Sequence, residues 1–248
     1  MLYIPLEGHE SLWDDDYQWD PRGFWGYRHL LEHSFSRSPG FDSRITLPGS
    51  GLAVSMNVDE RVDVGYPPTP YVSPLIDFFT ARAATTVRTR KAELAVAFQS
   101  PDFADHVVYF GCHGEAGTKD QRAYLVLGDG EKIYSTEVMA WLSKGLSTRP
   151  VVFVGACQGG QLASMFYPAF GYHMLHRGAR CLIGPQIDLP RAFAREYATG
   201  LFDAFLTPNT RLGDIVRQLA REFLDKHHNP LGLIFSLHRG IDVHLAVR

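Results

Sequence analysis

From residue 52 onward, short runs rich in β-branched and aromatic residues alternate with longer stretches whose apolar residues recur at helical spacing. No other feature limits the fold as strongly. Parallel strands can be joined only by crossovers of about a dozen residues or more, and helices supply them, so the alternation predicts a parallel sheet with covering helices. The strand candidates are Leu52 to Met56, a short one near Thr86 to Arg88, His106 to Phe110, Val151 to Val154, Arg180 to Ile183 and Leu233 to Leu237. Each is nearly all apolar, as strands buried on both faces are. The helical stretches between them are Val72 to Ala84, Lys91 to Phe98, Ser135 to Leu142, Leu162 to His176, Pro190 to Leu206 and Leu212 to Lys226. Phe193, Tyr197, Leu201 and Phe205 recur every fourth residue and are expected to line one buried face. Tyr124 to Leu127, then Gly128-Asp129-Gly130, then Lys132 to Tyr134 reads as a β-hairpin, with Asp129-Gly130 supplying positive φ.

Residues 1–50 differ in character. Trp13, Trp19, Phe24, Trp25 and Tyr27 lie among Gly, Pro and the acidic run Asp14 to Asp16, which reads as a packed cap or docking surface. Within it, apolar spacing over 24–35 predicts a short amphipathic helix. The stretch Leu47 to Gly51 marks a boundary between this extension and a main domain of residues 51–248. A net charge of -3, with Lys and Arg scattered, argues against direct nucleic-acid binding. The first residues lack a basic stretch followed by an apolar core, and no later segment reaches the roughly 18 apolar residues of a membrane span, so the expectation is a soluble, cytoplasmic protein.

The chemistry is expected where loops leave the carboxyl ends of parallel strands, because helix N-termini and loops converge there on one crevice. Two such loops carry reactive residues. His106 to Phe110 runs into Gly111-Cys112-His113-Gly114, and Val151 to Val154 runs into Gly155-Ala156-Cys157-Gln158-Gly159-Gly160. If the two strands are central neighbours, His113 and Cys157 face each other across one sheet edge. A thiolate is the attacking species and only a few per cent of an ordinary thiol, pKa about 8.5, is ionised at pH 7; an imidazole alongside raises that supply and later protonates the leaving amine. The glycines let backbone approach a substrate closely, and the amides of Gly114 and Cys157 are candidate oxyanion donors, worth about 3 to 4 kcal/mol each in well-studied hydrolases.

Residues 106–117 with His113, residues 124–142, residues 149–160 with Cys157, and residues 175–206 together resemble the CHAT domain, a branch of the caspase, separase and gingipain group of cysteine peptidases. The similarity extends to residues 229–245 and covers about 52–248, with little support over 1–50. It implies a caspase-like three-layer α/β sandwich with a mostly parallel central sheet of about six strands. It implies also a cysteine endopeptidase acting on protein substrates without a cofactor or metal. The family's His-Gly pair falls on His113-Gly114 and its cysteine on Cys157, both intact. Such relatives are commonly activated by a protein partner or attached sensor, often in bacterial antiviral defence or signalling. This chain carries no helical-repeat sensor, so a partner, or a longer protein of which these residues are a portion, is expected to supply one.

One departure concerns specificity. Many relatives have a tryptophan and an acid after the strand matching Arg180 to Ile183, whereas Gly184 to Pro190 holds no tryptophan. Asp188 takes the acidic place, either as a buried carboxylate pairing with a substrate Arg or Lys or as a charge near the N-terminus of the helix opening at Pro190. Asp59, Glu60 and Asp63, after the first strand, are rival pocket acids. Cys181 reads as a small buried hydrophobe and Cys112 as packing, with a resolving thiol as the alternative. His227-His228 lacks a second ligand pair at zinc spacing and reads as a solvated helix end. The rival reading of the whole chain is a catalytically silent scaffold that docks partners through its aromatic N-terminal segment.

Overall fold

The computed structural model describes residues 20–33, 42–64, 69–115, 123–155 and 170–246. The strands are β1 (Arg44–Ile45), β2 (Ala53–Val58), β3 (Ala84–Arg88), β4 (Val107–Gly111), β5 (His113–Glu115), β6 (Tyr124–Val126), β7 (Lys132–Tyr134), β8 (Val151–Val154), β9 (Cys181–Pro185), β10 (Phe235–His238) and β11 (His244–Leu245). The α-helices are α1 (Trp25–Arg28), α2 (Val72–Thr80), α3 (Lys91–Gln99), α4 (Ser135–Trp141), α5 (Tyr172–His176), α6 (Arg191–Phe205) and α7 (Leu212–His227).

Among the described residues, six strands form one sheet in the order β10-β9-β8-β4-β2-β3. All pairs are parallel except β10 with β9. Strands β4 and β8, wholly apolar and wholly buried, sit at its centre, as continuous apolar runs require. The two sheet faces are covered separately. On one, α2, α6 and α7 enclose a core that includes the stacked rings of Tyr109 and Phe153 and of Tyr197 and Phe235. On the other, residues of α3, α4 and α5 pack with Val108, Phe110, Val152 and Leu182. The sandwich therefore has three layers.

Phe193, Tyr197, Leu201 and Phe205 are all buried, as their spacing predicts. The helix expected over 24–35 is corrected: it stops at Arg28, and the chain turns extended at His29 (ψ 156°). Backbone bonds to the edge strand outweigh the helical spacing there. His33 N–H donates to Leu237 O, Arg239 N–H donates to His33 O, and Glu32 accepts from the amides of Gly240 and Ile241. Strand β3 starts two residues before the expectation, at Ala84, which shortens the preceding helix. Residues 233–234 belong to a 3-10 turn, so the last large strand begins at Phe235. Of the stretch expected to be helical over 162–176, residues 162–169 lie outside the described residues, and α5 covers the end.

A second, three-stranded sheet, β5-β6-β7, stands beyond the carboxyl end of β4 and is antiparallel throughout. Its hairpin is the one expected over 124–134, with Gly130 alone at positive φ (79°). The hairpin tip is tied to the main sheet and to α3: Gly128 N–H donates to Val58 O, Asp129 N–H to Thr89 O, and Asp129 Oδ2 accepts from Lys91 N–H at the N-terminus of α3.

Candidate active site

The register of the central strands positions the site. Phe110 of β4 pairs with Val154 of β8, and Gly155 N–H continues the ladder to Phe110 O at 2.7 Å. His113 lies three residues past Phe110, and Cys157 follows Val154 by the same number in the chain. Residues 156–169, and with them Cys157, lie outside the described residues.

His113 is held by its backbone. It opens β5 and pairs with Val126, Gly114 pairs with Leu125, and the imidazole remains about one-third exposed. Cys112, one residue earlier, is buried in the cluster that holds Phe110, Leu125 and Val154. The neighbouring strand end brings Asp59 to the same place. Its backbone N–H donates to Gly111 O at 2.9 Å, and its fully buried carboxylate places Oδ2 3.8 Å from His113 Nε2.

Asp59 does not open a free acidic pocket. Arg61 engages both carboxylate oxygens, Nε at 2.8 Å and Nη2 at 2.9 Å, donates its backbone N–H to Oδ1, and donates through Nη2 to Leu127 O. This fork geometry fixes the carboxylate and leaves its Oδ2 edge directed toward the imidazole. Asp63 is likewise occupied. It accepts from the amides of Tyr71, Val72 and Ser73 and from the Ser73 hydroxyl, capping α2; its carboxyl is held below the usual range because these bonds outweigh the opposing effect of burial.

Asp188 is exposed and lies two residues before Pro190, the N-cap of α6. Arg191 and Arg195 of α6 donate to the carbonyls of Val62 and Pro70, fastening the loop after β2 to that helix.

Beneath the strand end, Tyr71 donates its hydroxyl to Gly155 O at 2.8 Å. Its single proton is then used, so it accepts from the Tyr109 hydroxyl at 2.5 Å. A Cβ at Gly155 would lie 1.9 Å from the Tyr71 hydroxyl oxygen, so glycine alone fits there. The sequence reading missed this pair; the signal available was two tyrosines among apolar neighbours, since buried tyrosines demand a hydroxyl partner.

Among the described residues no three His, Cys, Asp or Glu side chains gather as a metal site, and no helix is long and apolar enough to cross a membrane.

The fold is similar to those of solved protease structures. The chain is similar to the Arg-specific cysteine proteinase gingipain R (TM-score 0.52, 11% identity), over 82% of this chain and 47% of that one. A second solved protease structure matches with TM-score 0.50 and 10% identity, over 77% of this chain and 48% of that one. The chain has a caspase-like fold. No family model matches the sequence. A curated relative, a "probable protease" of Vitiosangium sp. (strain GDMCC 1.1324), is 26% identical over 242 residues. That alignment takes in 91% of this chain and 30% of the relative, so the caspase-like fold corresponds to under a third of the relative's length.

Proposed function

We propose that this chain is a cysteine endopeptidase of the CHAT branch of caspase-like enzymes, with Cys157 as nucleophile and His113 as proton carrier. The observation that carries the reading is the central register. Strands β4 and β8 are adjacent and parallel, and the histidine and cysteine follow paired residues at equal distance along the chain. The protease relative and the cysteine-proteinase neighbour support the same class.

In this reading the Cys157 thiolate adds to the scissile carbonyl carbon, forming a C–S bond while the carbonyl electrons move to oxygen. The amides of Gly114 and Cys157 hold that oxyanion. The C–N bond breaks as His113 gives its proton to the leaving amine. His113 then takes a proton from water, the hydroxide adds to the thioester carbon, and the C–S bond breaks to return the thiolate. Asp59 faces the imidazole and orients it for each proton transfer, and Arg61 keeps that carboxylate in place. In the same proposal Asp188, exposed on the loop after β9, meets a basic side chain of the substrate. An activating protein partner and a role in defence or signalling belong to the same proposal.

Cleavage is tested by incubating the chain with a proteome-derived peptide library and reading new termini by mass spectrometry. Cys157→Ala is expected to abolish cleavage and His113→Ala to lower it by at least ~100-fold, in line with general acid–base contributions of about 10² to 10⁴. Undiminished cleavage by Cys157→Ala would overturn the reading.

A further inference from the structure

Strand β3 is the outer strand of the main sheet and has β2 as its single neighbour among the described residues. Ala84 N–H donates to Leu52 O, so in the parallel ladder the backbone groups of Ala84, Thr86 and Arg88 point to β2. Those of Thr85 and Val87 point outward along an open edge. Beside this edge a groove of about 670 Å³ runs between β3, α3 and the turn over 100–105.

Its walls are apolar where a monomer gains nothing from it. Val96 of α3 is 71% exposed and Phe103 also lines the groove, while Val87, 39% exposed, pairs with Met56 and so turns its side chain to the opposite, α2 face of the sheet. Helix α3 buries Leu94 and Phe98 against the core yet also sets Val96 outward, so its apolar residues serve two faces. The floor holds Arg88, already neutralised by Asp105 at 3.2 Å and bonded to the buried Ser55 hydroxyl. Two further carboxylates line the groove, Glu93 and Asp102. Glu93 accepts from the backbone amides of Thr89 and Arg90, and neither acid has a cationic side chain in ion-pair contact among the described residues. The groove therefore carries net negative charge over apolar walls.

We propose that this groove docks an extended segment of a partner protein in which apolar residues alternate with lysine or arginine. The segment adds to the Thr85–Val87 edge as a strand with alternate side chains on opposite sheet faces: its cations lie on the α3 face and meet Glu93 and Asp102 with their stems over Val96, and its apolar side chains cover Val87 on the α2 face. In strand addition the main-chain bonds provide affinity and alternate side chains provide selectivity, which is what this pairing of edge and groove offers. The groove is separated by β2 from β4, the strand that leads to His113, so the proposal stands independently of the peptidase reading.

The test measures fluorescence anisotropy of a dye-labelled hexapeptide of alternating valine and lysine on the intact chain, against a matched peptide with glutamate in place of lysine. Saturable binding of the lysine peptide, at least tenfold tighter than the glutamate peptide, is expected. Asp102→Lys should weaken it at least fivefold. Val87→Pro, which deletes an outward N–H and none of the bonds to β2, should do the same while circular dichroism stays unchanged. Asp203→Lys, an equal charge change at an exposed position of α6, should leave affinity as it is. No saturable binding, preference for the glutamate peptide, or equal losses for Asp102→Lys and Asp203→Lys would each overturn the proposal.

Discussion

Replacing Gly155 by alanine isolates the contact on which the strand end before Cys157 is built. Gly155 has no positive φ, so an alanine backbone is tolerated and by itself would stabilise by about 0.4 to 1 kcal/mol through the unfolded chain. The cost is steric. The new Cβ would meet the Tyr71 hydroxyl oxygen at 1.9 Å and that of Tyr109 at 2.7 Å, both in a fully packed core. Displacing the hydroxyls removes the bond to Gly155 O and breaks the tyrosine pair, at roughly 1 to 3 kcal/mol for each buried bond lost, with overpacking adding about 1 to 3 kcal/mol. The net expectation is a loss of about 3 kcal/mol, which for a chain of this length lowers Tm by roughly 6 to 12 °C. Urea denaturation midpoints measure it directly. Tyr71→Phe removes the oxygen at 1.9 Å, so in that background Gly155→Ala should cost at least ~1 kcal/mol less, a coupling expected of residues in contact. A loss below ~0.5 kcal/mol, or an equal loss in both backgrounds, would refute the reasoning.

Asp59→Ala should lower kcat by roughly 10- to 100-fold with KM little changed in the peptide assay; the effect is smaller than the ~10⁴ of a directly hydrogen-bonded triad aspartate because the separation here exceeds hydrogen-bond distance. His238 is pushed down to about 4 by burial, with His33 alongside adding to it. The folded state thus binds fewer protons than the unfolded state between pH 6.5 and 4, so its stability is full above 6.5 and falls by roughly 3 kcal/mol as pH drops through that window. His238→Asn should flatten that dependence in urea titrations at pH 4.5 and 7. Cys181 is pushed up to about 12 by burial, against the opposing influence of Arg239 and Arg180, so native-state iodoacetamide should leave it unmodified until urea unfolds the chain.

The strands and helices were legible because continuous apolar runs and four-residue spacing are direct records of burial, and β4, β8 and α6 emerge where those patterns fall. Direction was not: nothing in Phe235 to His238 encodes antiparallel pairing with β9. The short β5 was also invisible, since His113-Gly114-Glu115 has no strand pattern and its pairing partner lies in the hairpin. His113 and Asp59 were identified as residues of interest from their places after apolar strands, but the partner of Asp59 was missed. The signal was present as an Asp two residues before an Arg, a spacing that lets the carboxylate accept the Arg amide and meet its guanidinium. For Asp188 the sequence offered only a carboxylate after a strand, and that cannot separate a buried acid from the exposed one observed.

The central claim, that His113 activates Cys157, is tested most directly by the rate of Cys157 alkylation with iodoacetamide from pH 5 to 9, read by mass spectrometry in the parent chain and in His113→Ala. The account predicts rapid modification at pH 6 to 7 in the parent, with the inflection below the ordinary thiol value of about 8.5, and a slower reaction whose inflection returns to about 8.5 in the variant. Superimposable profiles in the two proteins would contradict it.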